Sequence, residues 1–252
     1  LASKSSYQKQ NVTFIPLSAL KGDNVVDASE NMDWYKGATL LQHLENLTLD
    51  DVEEVSKFRF PIQTVIRPKT EEYHDFRGYA GKIYGDDLAV GDAITVLPSK
   101  TTSKIKEIHF FEKSFEMAKR GSSVTITLDD NINVSRGDML VKTTEEPSIE
   151  KQISATICWM DKTPLSSNTK YVLKHGVHDV QAKVTEISSI INTDFSGKED
   201  NPSAIVLNQI GEIELKLSKP LFFDSYQTNK ATGTFILIDP KTNATSGVGF
   251  IQ

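Results

Sequence analysis

The side chains best suited to metal chemistry are two histidines, His175 and His178, which flank Gly176 and Val177. A zinc ion needs three or four ligands in a suitable geometry, and a histidine pair supplies two of them. The sole cysteine, Cys158, lies in an apolar string that indicates a buried strand, where a free thiol usually serves as a small hydrophobic group. The sequence therefore predicts no metal site.

Adjacent carboxylates occur at Asp50-Asp51, at Glu53-Glu54 and at Asp129-Asp130. Positioned acids of this kind can act as general acids or bases. Neighbouring residues of a strand point to opposite faces, however, so such pairs rarely converge on one substrate. We interpret them as solvated charges of linkers and turns. Spacing supports no Ser/His/Asp or Cys/His arrangement either, and we predict no catalytic residue in this chain.

A candidate binding loop is the string Ser18-Ala19-Leu20, which follows the apolar run Val12–Leu17 and precedes a helical pattern that starts near Lys36. The apolar run predicts a buried strand. A loop in this position either caps a helix through its serine or presents backbone N–H groups to a ligand. The residue types alone favour the cap.

Two arginines and an aromatic pair are candidate interface residues. Arg77 and Arg136 each precede a glycine at a predicted turn, and Trp34 stands next to Tyr35. Arginine is favoured at interfaces for its planar donor fork, although a solvated turn arginine is the commoner outcome. We expect Trp34 and Tyr35 to pack within the domain that holds the predicted helix.

The elements that position these residues fall into three regions. Residues 1–54 read as strand, loop and helix, which is too little to form a core. Beyond an acidic stretch at residues 49–56, short β runs alternate with turns, as is typical of an antiparallel barrel. A second break at residues 143–148 precedes further β runs. We therefore predict a mainly β chain: a short α/β segment and linker at 1–54, a β-barrel at 55–146 and a second β-barrel at 147–252.

Composition and charge exclude several classes of protein. Of the 252 residues, 38% are hydrophobic and 25% are charged, which is typical of an ordinary globular protein. The net charge is −6, and residues 1–54 carry 4 basic and 9 acidic side chains. Without a basic surplus we expect no nucleic-acid partner. No apolar run approaches the roughly 20 residues that a membrane helix needs, so we expect no membrane partner.

The cysteine count and the first residues of the chain bear on its cellular location and processing. A single cysteine, Cys158, excludes an internal disulfide framework and indicates a cytoplasmic protein. The opening residues lack the apolar core of a signal peptide. Because the chain starts at Leu1 rather than at a methionine, we expect it to begin within a longer protein.

Four strings carry a resemblance to a known family. The first spans residues 15–41 and contains Ile-Pro-Leu-Ser-Ala-Leu-Lys-Gly-Asp-Asn and Gly-Ala-Thr-Leu-Leu. The others are Phe-Arg-Phe-Pro-Ile-Gln at 58–63 with Asp-Phe-Arg-Gly-Tyr-Ala-Gly at 75–81, Ser-Arg-Gly-Asp-Met-Leu at 135–140, and Leu-Asn-Gln-Ile-Gly at 207–211 with Lys-Ala-Thr-Gly-Thr-Phe-Ile-Leu-Ile-Asp at 230–239. From residue 15 onward the chain resembles the GTP-binding large subunit of bacterial sulfate adenylyltransferase, within the translation-factor GTPase superfamily.

The resemblance implies a fold and a nucleotide site. It implies two translation-factor-type barrels after the last part of a P-loop GTPase domain. It also implies that Ser18, Ala19 and Leu20 form the last guanine-recognition loop, with GTP and Mg²⁺ as cofactors of the full-length parent. The phosphate loop G-x-x-x-x-G-K-[ST] and the guanine motif Asn-Lys-x-Asp are absent from these 252 residues. We therefore expect this chain alone to be inactive and to need no cofactor.

The resemblance also implies a partner and an activity. The parent pairs with a small catalytic subunit that makes adenosine 5′-phosphosulfate and pyrophosphate from ATP and sulfate, and it couples GTP hydrolysis to that reaction. An alternative is a translation elongation factor whose barrels bind aminoacyl-tRNA. The near-neutral charge of residues 55–252 disfavours that alternative. A plain β-barrel module without a GTPase parent leaves the strand–loop–helix pattern of residues 15–47 unexplained.

Overall fold

The computed structural model of the chain describes residues 12–47, 57–68, 76–111, 113–193 and 196–252. The chain divides into two compact units, Leu1–Glu53 and Glu54–Gln252. The acidic stretch predicted as a linker, residues 49–56, lies outside the described residues. Within the described ranges, no helix combines the length and the apolar character that crossing a membrane requires.

The first unit contains one short helix, α1 (Leu40–Glu45). Its N-cap is Thr39, whose hydroxyl accepts from the Gln42 amide, while the Gln42 side chain accepts from the Thr39 amide in a reciprocal capping box. The predicted buried strand at residues 12–17 is wrong for the described chain. These residues are irregular and Phe14 is 76% exposed, because no described strand pairs with them.

The second unit begins with nine antiparallel strands. They are β1 (Arg59–Ile66), β2 (Gly78–Lys82), β3 (Leu88–Ala89), β4 (Ala93–Leu97), β5 (Thr101–Phe110), β6 (Lys113–Phe115), β7 (Met117–Ala118), β8 (Ser123–Leu128) and β9 (Met139–Lys142). Six of them form a ring in the order β4-β9-β1-β2-β8-β5, which the β4–β5 pairing closes into a barrel. The short strand β6 pairs with β5 outside this ring.

Alternation of side chains produces the core of this barrel. In β8, Val124 and Ile126 point inward and are buried, whereas Ser123 before them and Thr125 between them face outward and are less buried. The inward side chains of the other strands, such as Phe60 and Ile62 of β1, are fully buried against them. The period of two along each strand thus accounts for the buried cluster.

The remaining nine strands form a second barrel of the same design. They are β10 (Ser148–Trp159), β11 (Leu165–Ser166), β12 (Lys170–His175), β13 (His178–Ile191), β14 (Lys198–Asp200), β15 (Ala204–Ile205), β16 (Ile210–Phe223), β17 (Thr234–Ile238) and β18 (Thr245–Ile251). The ring β12-β17-β18-β10-β16-β13 is closed by the β12–β13 pairing, and β14 lies outside it. Trp159 and Tyr171 meet edge to face in its core, with ring centroids 5.5 Å apart.

Candidate functional site

The predicted binding loop is a tight turn in the first unit. The Ser18 amide donates to the Asp23 carbonyl (3.1 Å), and the Gly22 amide donates to the Ser18 carbonyl (2.8 Å). The amides of Ala19 and Leu20 donate to no acceptor in the part of the chain that the structure describes. Leu20 is 96% exposed at the tip. The loop therefore offers two unused backbone donors on its surface. Its serine does not cap a helix.

Asn24 holds this loop in shape. It is 2% exposed and adopts a left-handed backbone with φ of 56°, a conformation that asparagine tolerates better than most residues. Its side chain donates to the Pro16 carbonyl (2.9 Å) and accepts from the Ser29 amide (2.8 Å). Its own carbonyl accepts from the amide of Leu40, the first residue of α1 (3.0 Å). The side chain of Asn24 thus holds the loop together, and its main-chain carbonyl ties the loop to the helix.

A second polar centre lies where the two barrels meet, and it is built around Arg59 of β1. This guanidinium is fully buried and makes a two-pronged ion pair with Asp224, Nε to Oδ2 at 2.8 Å and Nη2 to Oδ1 at 2.7 Å. Its Nη1 donates to the carbonyls of Phe58 (2.8 Å) and Glu145 (2.6 Å). Such a planar fork satisfies several buried acceptors at once.

Asp224 follows β16 and extends the polar centre into the second barrel. The Thr232 hydroxyl donates to its Oδ2 (2.8 Å), and Nε2 of His175 lies 2.8 Å from the Thr232 carbonyl. A carbonyl only accepts, so Nε2 carries a proton in this arrangement. Burial lowers the pKa of His175, and the charge of His178 adds to this effect, while the Thr232 carbonyl and Asp224 oppose it.

His178 closes the junction from the β12–β13 hairpin. Its ring lies against Gly137, where an added Cβ would come within 2.9 Å of the imidazole. Gly137 also has a left-handed φ of 97°. Burial raises the pKa of the neighbouring Asp138, opposed by the Ser135 amide and by the charge of His178. The Arg-Gly-Asp string is therefore a structural contact between the barrels in which glycine is required.

An apolar contact completes the junction. Leu97, Met139 and Val141 of the first barrel form a buried cluster with Phe222 of the second barrel. The junction therefore combines a buried ion pair with buried apolar surface. Among the described residues, no group of three His, Cys, Asp or Glu side chains converges on a metal position.

The other residues singled out from the sequence have structural roles. Arg77 donates to the Ile132 carbonyl (2.8 Å) and Arg136 donates to the Gln63 carbonyl. Cys158 is a partly buried free thiol in β10. Trp34, by contrast, is 73% exposed and contacts Tyr35 edge to face, so the prediction that Trp34 packs within its domain is wrong for the residues that the structure describes.

Sequence reasoning missed Arg59 and Asp224, which lie 165 residues apart in the chain. Arg59 falls inside one of the strings that carry the family resemblance, whereas Asp224 lies between two of them. No periodicity marks a single charged residue for burial, so the resemblance could point to Arg59 alone.

Comparison with solved structures shows which proteins share this fold. The fold is similar to that of Sup35 in complex with GMPPNP, with a TM-score of 0.70, 19% identity and coverage of 96% of this chain and 59% of that one. It is also similar to the elongation factor SelB of Methanococcus maripaludis in its apo form, with a TM-score of 0.64, 20% identity and coverage of 84% and 46%. Residues 152–252 match the family described as GTP-eEF1A C-terminal domain-like. The chain thus has the mainly β, double-barrel fold of translation-factor GTPases.

Comparison with known sequences finds relatives of higher identity. The chain is similar in sequence to proteins named sulfate adenylyltransferase subunit 1. It is 40% identical to the protein of that name from Psychromonas ingrahamii over 96% of this chain and 50% of that protein, and 42% identical to the one from Bacteroides thetaiotaomicron with the same coverage. It is 38% identical to the bifunctional enzyme CysN/CysC of Mycobacterium tuberculosis, of which it covers 40%. The chain spans about half the length of the subunit 1 relatives.

Proposed function

We propose that this chain supplies the end of the GTP-binding domain (residues 1–54) and both β-barrels (residues 55–146 and 147–252) of a regulatory subunit of sulfate adenylyltransferase. The whole subunit would couple hydrolysis of GTP to the formation of adenosine 5′-phosphosulfate from ATP and sulfate. The observation that carries this proposal is the identity of 40% with sulfate adenylyltransferase subunit 1 over 96% of the chain.

The proposed role of Ser18, Ala19 and Leu20 is to recognise guanine. The unused amides of Ala19 and Leu20 fit a carbonyl acceptor such as that of the base, and the turn that carries them is held by Asn24. These residues form one part of a nucleotide site. We therefore assign GTP and Mg²⁺ to the whole subunit, and expect this chain alone neither to bind GTP tightly nor to hydrolyse it.

The apolar surface of the first unit supports its origin in a larger nucleotide-binding domain. None of its described apolar side chains is buried, and Phe14 (76% exposed), Trp34 (73%) and Leu44 (57%) face outward. Exposed apolar side chains in such numbers mark a surface that another part of a protein covers. In this proposal, the remainder of the GTP-binding domain covers these apolar side chains.

The proposed role of the barrels is mechanical. Loss of the γ-phosphate on hydrolysis releases ordered loops in GTPases, and domains then rotate. Two barrels joined through the buried pair of Arg59 and Asp224 would move as a rigid body and carry that rotation to a partner. The partner we propose is the small catalytic subunit, where adenylyl transfer itself would occur. We propose a cytoplasmic complex, in keeping with the unpaired Cys158.

A chimera tests this function. In it the chain replaces the matching half of subunit 1 of Bacteroides thetaiotaomicron, and adenosine 5′-phosphosulfate is assayed with the catalytic subunit of that organism. We expect synthesis that GTP stimulates and a non-hydrolysable GTP analogue does not sustain. A chimera that hydrolyses GTP without any effect of the nucleotide on synthesis would contradict the proposal. The intact Bacteroides subunit is the control.

A further inference from the structure

The loop at residues 18–23 closes on itself through short-range hydrogen bonds. The Lys21 amide donates to the Ser18 hydroxyl (3.4 Å), and the Gly22 amide donates to the Ser18 carbonyl (2.8 Å). The Ser18 amide in turn donates to the Asp23 carbonyl (3.1 Å). Because all of these bonds lie within the loop, they shape the turn without fixing its place in the first unit.

The side chain of Asn24 attaches the loop to the segments on both sides of it. Its amide group donates to the Pro16 carbonyl (2.9 Å), just before the loop, and to the sulfur of Met32 (3.3 Å). Its oxygen accepts from the Ser29 amide (2.8 Å). One head group therefore spans the segment that enters the loop and the segment at residues 29–32.

No other residue type can make both contacts from this backbone. The left-handed φ of 56° at position 24 favours glycine, asparagine and aspartate. Glycine lacks a side chain, and an aspartate carboxylate has no donor for the Pro16 carbonyl. Asparagine is the one of the three that both donates and accepts. At 2% exposure, a bond lost here is poorly replaced by water.

The neighbouring carboxylate of Asp23 strengthens the same attachment. It accepts from the Ser29 hydroxyl (2.7 Å) and from the side-chain amide of Asn31 (3.2 Å). These two bonds lower the pKa of Asp23. Residues 29–31 are thus held beside the loop by two side chains in succession, of which Asn24 is the buried one.

The position of the loop matters because of what its tip can recognise. The amides of Ala19 and Leu20 meet no acceptor among the described residues, and a backbone N–H only donates. Such donors suit a base with an oxygen at its 6-position, as in guanine, and reject one with an amino group there. Discrimination of this kind depends on donors held at hydrogen-bonding distance, and a misplacement of about 1 Å is costly.

We propose that Asn24 is a positioning residue that sets the selectivity of the nucleotide site for a 6-oxo purine. It acts through the amides of Ala19 and Leu20, which it holds in place from behind the loop, and not through a contact of its own with the base. This inference rests on the proposed function for the ligand of the loop, and it adds the residue on which the choice of base depends.

Nucleotide binding by the chimeric subunit described above tests the inference. Calorimetry compares GDP with 2-aminopurine riboside 5′-diphosphate, which lacks the 6-oxo oxygen and the N1 proton. The informative variant is Asn24→Gly, since glycine keeps the left-handed backbone and removes both side-chain bonds. We expect GDP to bind about tenfold more weakly to this variant, and the aminopurine nucleotide to change by less than about twofold.

A purely structural role of Asn24 would give a different result. The two nucleotides share the ribose and both phosphates, so a general loosening of the domain would weaken them in equal proportion. A second variant, Asn24→Asp, keeps the acceptor for Ser29 and removes only the donor to Pro16. The preference for GDP should fall in this variant too, which keeps the test decisive if Asn24→Gly does not fold.

Another left-handed asparagine provides the matched control. Asn243, in the turn between β17 and β18, has φ of 59° and is exposed in the second barrel. Asn243→Gly makes the same substitution in the same backbone conformation, far along the chain from the loop. We expect it to leave the binding of both nucleotides within about twofold of the unsubstituted chimera, as for most surface changes.

The outcomes separate this inference from the function on which it rests. If the unsubstituted chimera fails to bind GDP, or binds the two nucleotides equally, the proposed guanine loop is wrong and the inference falls with it. If that chimera prefers GDP and both Asn24 variants keep the preference, or lose both nucleotides in equal proportion, the inference alone is overturned. A loss of preference as large in Asn243→Gly would also overturn it.

Discussion

At the scale of single residues, environment decides what a reactive side chain does. The sequence presents His175 and His178 as a possible ligand pair, yet the two rings serve different neighbours. His175 is 4% exposed and lies 2.8 Å from the Thr232 carbonyl, and His178 packs against Gly137. Burial, with one hydrogen bond to a carbonyl, favours a neutral imidazole. His175 therefore has a packing role rather than the role of an exposed metal ligand.

The lowered pKa of His175 predicts a pH dependence of stability. Burial holds this pKa below the ordinary 6.5. The unfolded chain therefore takes up the proton more readily than the folded one, so the stabilisation is complete above about pH 6.5 and is lost as the pH falls through the folded-state pKa. We expect the free energy of unfolding to decline as the pH falls below about 6.5, more steeply than in His175→Gln, which keeps a donor for Thr232.

Urea unfolding at several pH values measures this difference. His109→Gln is the control, because His109 is a histidine of the other barrel that bonds to the exposed side chain of Glu107. The steep decline should persist in that variant. Parallel pH profiles for the unsubstituted protein and His175→Gln would contradict the assigned role of His175.

At the scale of elements, hydrophobic periodicity predicted most strands closely. Among the short β runs predicted within residues 55–146, the apolar runs at 93–97, 123–128 and 139–142 coincide with β4, β8 and β9. These strands have buried side chains on the barrel interior, and that burial is what the pattern records. In the second predicted barrel, the sequence at 204–217 reads as one β run, yet it is divided into β15 and β16, because Asn208 in the intervening turn adopts a left-handed φ of 68°.

The same reasoning failed where an apolar run has no partner. Residues 12–17 have the composition of a buried strand but no described neighbour to pair with, so they remain irregular and exposed. Periodicity reports which face is apolar, and it does not report whether a covering element is present. The candidate loop at Ser18–Leu20 was located correctly as an exposed connection, whereas its ligand follows from resemblance and stays a prediction.

Close approach of two strands predicts an intolerant position in the first barrel. In β2, a Cβ on Gly81 would lie 2.5 Å from the Pro61 carbonyl oxygen of β1 and 3.0 Å from the buried ring of Phe60. We expect Gly81→Ala to lower the free energy of unfolding by about 1–3 kcal/mol, the usual cost of overpacking a core. Denaturant unfolding measures it. Ala80→Ser, on the outward face of the same strand, should cost less than about 0.5 kcal/mol.

At the scale of the whole second unit, a small set of contacts joins the two barrels. Each ring closes on itself and has its own buried cluster, so neither barrel needs the other for its core. What joins them is the apolar contact of Phe222 with Leu97, Met139 and Val141, together with the ion pair of β1. A charge pair within such a junction is favourable only as a complete pair, since an isolated buried charge is costly.

The ion pair therefore predicts a strongly non-additive response to substitution. Asp224→Ala leaves the fully buried Arg59 without its counter-charge, and we expect a loss of about 3–5 kcal/mol in the free energy of unfolding. Replacing both partners, Arg59→Met with Asp224→Leu, removes the stranded charge and should cost less than the single change.

The exposed pair of Lys100 and Glu146, 60% and 45% exposed, gives the matched control. There, Glu146→Ala should change stability by about 0–1 kcal/mol. Denaturant unfolding of the unsubstituted chain, the two single variants and the double variant distinguishes the cases. Equal losses for Asp224→Ala and Glu146→Ala would mean that the Arg59 pair does not stabilise the junction of the barrels. The rigid-body role proposed for the two barrels would then lose its physical basis.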